Sequence, residues 1–183
     1  MLKVFVSLVG CDAQTGNPVV VLNEPSCDKM LSIWIGMPEA RAISWALQAY
    51  KHERPLTHQL LFNTIESLNY EVQKVEINAI KNSAFLAKLY LVEKVLASNV
   101  NEPRVKIVDA RPSDGIILAL MNSAPIYVSQ EVLEEAAVPI RMSDNSDLPK
   151  KERDAKDDAS DELFKTFLQG LKASDFKLPD DNK

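Results

Sequence analysis

Two long stretches alternate apolar and polar residues, Tyr70–Ala79 and Ala84–Glu93, and a short turn around Asn82-Ser83 separates them. A period of two sustained over that length is the pattern of a strand with one buried face. Two such strands joined by a tight turn pair antiparallel, which commits the chain to a sheet built around a hairpin. The segments before it add strands: Val4, Val6 and Leu8 alternate with Lys3, Phe5 and Ser7, Val19–Leu22 returns after a turn at Asp12–Pro18, and Met30–Ile35 ends at Gly36. A helix is expected from about Pro38, since proline fits a first helical turn, with Ala40, Ile43, Ala46, Leu47 and Tyr50 as its apolar stripe. After Arg54-Pro55 a second helix is expected, capped by Thr57, with Leu61, Ile65 and Leu68 facing inward. Beyond the hairpin come a polar loop (Val95–Pro103), a strand through Val105, Ile107 and Asp109, a helix over Pro112–Ser123, a short strand at Pro125–Val128 and a helix at Gln130–Ala137. The order βββααβββαβα points to an α+β fold, with a mixed, mostly antiparallel sheet and helices packed on it.

At 183 residues, 46% hydrophobic and 26% charged, the chain has a globular balance. Charge is uneven along it. Residues 1–142 carry 13 basic and 15 acidic side chains, and residues 143–183 carry 8 and 11. The division expected is a main domain over 1–142, an acidic polar linker over 143–160, a C-terminal helix over 161–176 and a disordered tail over 177–183. The linker lacks the apolar surface that would offset its ordering entropy. In the helix, Leu163, Phe164, Phe167, Leu168 and Leu171 share one stripe. A net charge of −5 disfavours gripping nucleic acid by bulk electrostatics, but leaves room for a small active site that acts on it. Cys11 and Cys27 form neither a CxxC pair nor a zinc spacing, no stretch approaches a membrane span, and the first ten residues lack the apolar core of a signal peptide. A cytoplasmic protein with reduced thiols and no membrane partner is expected.

Three strings could carry chemistry. In Asp109-Ala110-Arg111-Pro112-Ser113-Asp114-Gly115, two carboxylates and a guanidinium crowd a strand-to-helix turn. Arg111 and the free helix-start amides can hold a phosphate, and carboxylate oxygens suit a divalent cation. The same residues also serve as ordinary helix-start residues and a local Asp–Arg clasp. In Arg54-Pro55-Leu56-Thr57-His58, the imidazole sits in a first helical turn, where the helix dipole opposes a charged ring and a neutral one can act as general base. Glu39, also in a first turn, shares a face with Ile43 and Ala46 and so points into the body, where it needs a partner such as Arg54, Arg111 or a metal. There is no GxGxxG, Walker, HExxH, GxSxG or EF-hand pattern, so nothing supports a nucleotide cofactor or a zinc protease.

Taken together, Asn17-Pro18-Val19-Val20-Val21-Leu22, Ile33-Trp34-Ile35-Gly36 with Glu39-Ala40, Arg54-Pro55-Leu56-Thr57-His58, Asp109-Ala110-Arg111-Pro112-Ser113-Asp114 and Pro125-Ile126-Tyr127-Val128-Ser129 resemble the bifunctional nuclease domain over roughly residues 1–140. The resemblance implies an α+β domain, a homodimer or higher homo-oligomer, and activity on RNA and DNA of the kind for which a plant member named the family. It points to Glu39, Arg54, Thr57, His58, Asp109, Arg111, Ser113 and Asp114. Two positions depart from the family pattern: Gln59 replaces an Asp that could be a metal ligand, and Gly115 replaces an Ala.

The expectation is therefore a metal-dependent nuclease. Asp109, Asp114 and Glu39 would hold Mg²⁺ or Mn²⁺ and, with His58, form the catalytic set. Arg54, Thr57, Arg111 and Ser113 would bind the substrate. The alternative is a non-enzymatic dimeric interaction module in which the Asp–Arg clasp is structural, a reading that Gln59 and the acidic balance favour.

Overall fold

The computed structural model describes residues 1–12, 15–24, 29–94 and 103–139. The expected linker, C-terminal helix and tail lie outside these, as does most of the polar loop after the hairpin.

The elements run β1 (Leu2–Cys11), β2 (Pro18–Glu24), β3 (Lys29–Trp34), α1 (Met37–Leu47), α2 (Thr57–Ser67), β4 (Tyr70–Lys81), β5 (Ala84–Glu93), β6 (Val105–Ala110), α3 (Pro112–Met121), β7 (Ile126–Val128), α4 (Gln130–Ala136) and the two-residue β8 (Val138–Pro139), which alternation alone did not announce. The chain is α+β. Its strands lie in the order β6-β5-β4-β7-β1-β2-β3-β8, with every neighbouring pair antiparallel except β4 and β7. The hairpin falls where the pattern places it. Asn82 and Ser83 both take positive φ (51° and 62°), the backbone of a two-residue turn whose twist matches that of its strands.

The core lies where Val20, Leu22, Leu31, Ile33, Val75, Ile77 and Leu89 of the sheet meet Ile43 of α1, Ile116–Ala119 of α3 and Val132 and Leu133 of α4. α3 is the central helix, and seven of its ten residues are buried. Gly115 lets it settle close to β4: a Cβ there would stand 2.8 Å from Cγ1 of Val75.

The second helix departs from expectation twice. Leu56, not Thr57, occupies its cap position; no side chain caps it, and Thr57 is its first helical residue. Leu61 and Leu68 face outward instead of inward, leaving Ile65 as the helix's one buried residue, with Phe62 half-buried beside the core. The apolar stripe expected of α1 likewise thins toward its end, where Leu47 and the following Tyr50 are exposed. Among the described residues, neither helix finds enough protein above it to cover every apolar position that periodicity suggests.

Candidate active site

Three helix starts converge. α1 begins after Gly36 with Pro38 in its first turn and brings Glu39; α2 brings His58; α3 begins after Arg111 with Pro112 and brings Asp114. Each carboxylate sits in a first turn, where unpaired amides and the helix dipole favour negative charge. Arg111, in extended conformation at the cap of α3, links them. Its Nε and Nη2 donate to Oδ2 and Oδ1 of Asp114 at 2.8 and 3.1 Å, and its Nη1 pairs with Oε1 of Glu39 at 2.9 Å. On the other side of Asp114, Oδ1 lies 3.1 Å from Nε2 of His58. The result is a continuous chain, His58–Asp114–Arg111–Glu39, drawn from segments as much as 75 residues apart in sequence.

Burial acts to raise the Asp114 carboxyl pKa, but the hydrogen bonds from Arg111 and then His58 outweigh it, so the group is held below the usual aspartate value. Asp114 thus remains an ionised, acceptor-only group. The Arg111 guanidinium is raised in turn, first by its hydrogen bond to Asp114 and the carboxylate charge, which outweigh the cost of burial, with Glu39 adding a lesser part. An ionised Asp114 can only accept from His58, which places a ring proton on Nε2. Three of the five N–H donors of Arg111 are used, and its largely exposed side chain leaves the other two accessible to an anion.

The other expected residues lie elsewhere or play smaller parts. Ser113 is buried at the start of α3, next to Asp114. Thr57 is exposed, as is Arg54, which forms no ion pair among the described residues. Asp109 is on β6 opposite Lys88, which stands opposite Glu76. That row alternates with Val108, Leu89 and Val75, the side chains that face α3, so Asp109 lies on the sheet's other face. The trio Asp109, Asp114 and Glu39 is therefore not gathered. Among the described residues no three His, Cys, Asp or Glu side chains are placed to hold a metal ion. The cation that stands between Glu39 and Asp114 is the Arg111 guanidinium itself.

Sequence reasoning missed two groupings. Glu76 on the outer sheet face accepts from Nζ of Lys74 and from the Tyr90 hydroxyl, each at 2.7 Å; the shared parity of 74 and 76, opposite 90 and 88, is the signal that could have found it. His52 packs edge-on against Trp45 and Tyr50, with centroids 4.4 and 4.8 Å away, and its buried Nε2 has no hydrogen-bond partner.

A family model for the bifunctional nuclease domain matches residues 20–141, a span that contains all three helix starts. The chain belongs to the bifunctional nuclease domain family. An uncharacterized protein of Mycobacterium tuberculosis is 36% identical over 177 residues, covering 97% of this chain and 99% of that one. Bifunctional nuclease 1 of Oryza sativa subsp. japonica and the bifunctional nuclease of Oryza minuta are each 26% identical over 121 residues, which is 66% of this chain and 35% of theirs. Among the described residues no helix is long and apolar enough to cross a membrane.

Proposed function

We propose that this domain hydrolyses phosphodiester bonds of RNA, DNA or both, as the names of its plant relatives suggest for them. The observation that carries the reading is the hydrogen-bonded chain His58–Asp114–Arg111–Glu39, assembled from three separate helix starts inside the region the family model covers. In this reading Asp114 holds the His58 ring by its Nε2 proton, and Nδ1 takes a proton from the attacking water. The two unused Arg111 donors meet the charge that builds on the phosphoryl oxygens. Glu39 keeps the guanidinium in place, and exposed Arg54 offers a second cation to the backbone of the strand. We place the protein in the cytoplasm, a setting in keeping with the exposed Cys11, which is in no disulfide among the described residues.

The alternative, a non-enzymatic module, has one observation in its favour: Arg111 already answers both carboxylates, as a structural clasp would. The deciding experiment incubates a labelled single strand with purified wild type and Asp114→Asn, each with Mn²⁺, with Mg²⁺ and with chelator. Cleavage by wild type that falls about 10²-fold or more in the variant supports the nuclease reading. Equal rates assign the activity to a contaminant, and no cleavage in any condition favours the module. The chelator arm tests the metal dependence expected from sequence, for which the described residues hold no preformed ligand set.

A further inference from the structure

Gly36 is a glycine that its own backbone does not require. It stands at the cap position of α1 with φ −77° and ψ 160°, an extended conformation open to any residue. What opposes a side chain there is its surroundings. A Cβ at position 36 would overlap Oε2 of Glu39 outright and stand 3.2 Å from that residue's Cδ, closer than carbon atoms ordinarily pack. Its next neighbour, Cδ of Pro38, would lie at an ordinary 3.6 Å. The space left by the absent side chain is therefore filled by the Glu39 carboxylate, which doubles back over the start of its own helix. The same carboxylate reaches Arg111, with Oε1 2.9 Å from Nη1, and the Glu39 side chain is only 16% exposed.

Turning the carboxylate about its Cγ–Cδ bond moves the oxygens but leaves Cδ where it is, so rotation alone does not make room for a Cβ. The whole end of the side chain must move. Arg111 is not free to follow, because Asp114 holds its Nε and Nη2 at 2.8 and 3.1 Å. A methyl group at position 36 thus parts Glu39 from Arg111 with little disturbance to the fold, since what yields is the far end of a flexible side chain and not backbone or core. We propose that Gly36 is a positioning residue of this site: the gap it leaves seats the Glu39 carboxylate on Arg111 and so fixes the direction of the guanidinium's two unused donors. Its kinetic consequence rests on the nuclease reading; the seating of Glu39 does not. Glycine is also a better helix cap than alanine, a rival reason for its presence. Serine separates the two, being at least as good a cap as glycine while carrying the same Cβ as alanine.

The test compares Gly36→Ala, Gly36→Ser, Glu39→Ala and Gly36→Ala/Glu39→Ala in the full chain, each checked by circular dichroism and melting for a folded domain. In cleavage of a labelled single strand, kcat should fall about 10–10²-fold in Gly36→Ala and Gly36→Ser alike, with KM within about twofold of wild type, since the misdirected donors meet charge that builds only in the transition state. The double variant should be no slower than Glu39→Ala, because with the carboxylate gone the new methyl group has nothing to displace. Crystal structures should show the 2.9 Å pair in wild type and a separation beyond about 4 Å, outside ion-pair range, in Gly36→Ala. Gly36→Ser that cleaves like wild type, a further loss in the double variant, or a Gly36→Ala structure that keeps the pair overturns the proposal. A wild type that cleaves nothing removes the nuclease reading alone, and the two crystal structures then decide whether Gly36 seats Glu39.

Discussion

Replacing Gly115 with alanine sets two well-characterised effects against each other inside α3. Alanine favours a helix interior over glycine by about 1 kcal/mol. The new Cβ, however, would stand 2.8 Å from Val75 Cγ1, about 0.7 Å inside ordinary carbon contact. Val75 cannot retreat easily: it is fully buried, β-branched, and pinned between its partners Leu89 on β5 and Ile126 on β7. Overpacking of this kind costs roughly 1–3 kcal/mol, so the net change should be about 0–2 kcal/mol destabilising. In a Val75→Ala background the two γ-carbons are gone, and the nearest remaining atom of residue 75, its Cβ at 3.8 Å, is an ordinary neighbour. There Gly115→Ala should stabilise by about 1 kcal/mol, recovering part of what the cavity at position 75 costs. Urea denaturation of the four proteins measures the coupling, expected at roughly 1–3 kcal/mol, or several degrees in Tm. Equal effects of Gly115→Ala in both backgrounds would refute the claim that close approach to Val75 is what requires glycine here. The family pattern named above has alanine at this position, so the same cycle shows what that residue must be accompanied by.

Other outcomes follow from the same structure. Asp114 and Glu76 both titrate below their ordinary values, Glu76 because its bonds from Lys74 and Tyr90 outweigh its burial. A carboxylate depressed in the folded state binds its proton more readily when unfolded, so its contribution is present above about pH 4 and lost as pH falls through the folded value. Asp114→Asn and Glu76→Gln should each flatten the loss of stability between about pH 4 and pH 2, followed by acid titration of the urea midpoint. A steeper loss would contradict the assigned direction. Ser83→Gly relieves a side chain held at φ 62° and completes the Asn-Gly pair that two-residue hairpins favour; a gain of up to about 1 kcal/mol is expected on thermal melting, and a loss would show that Ser83 is not strained. Arg111→Lys keeps the charge but loses the fork that reaches both Asp114 and Glu39, so cleavage should fall nearly as far as in Arg111→Ala; full activity in the lysine variant would show that charge alone suffices.

The parts of this fold that were legible in sequence are those in which the signal is local. The hairpin follows from alternation and from Asn82-Ser83, and the helix starts follow from Pro38 and Pro112, because parity, turn chemistry and proline act within a few residues. What stayed hidden is set by distant segments. The inward face expected of Leu61 and Leu68 follows from periodicity only if something lies above both sides of α2, and nothing among the described residues does. His58 and Asp114 are 56 positions apart, so their pairing is invisible before the helices pack, and sequence left open whether Glu39 would meet Arg54 or Arg111. Asp109 shows a subtler limit. It stands five residues from Asp114 and looks like its companion, yet its strand parity, shared with Ile107 rather than Val108, sends it to the opposite sheet face. That parity was readable; the face on which α3 would land was not.

The central claim is that His58, Asp114, Arg111 and Glu39 act as one catalytic unit. The most direct measurement is the cleavage rate of a labelled single strand by His58→Ala, Arg111→Ala and the double variant against wild type, with Asp109→Asn as the exposed control from the other sheet face. Groups that act together are non-additive when removed. Each single variant should lose about 10²–10⁴-fold, the double variant should lose little more than the worse single, and Asp109→Asn should cleave like wild type. Losses that multiply in the double variant, or single variants as active as wild type, would contradict the account.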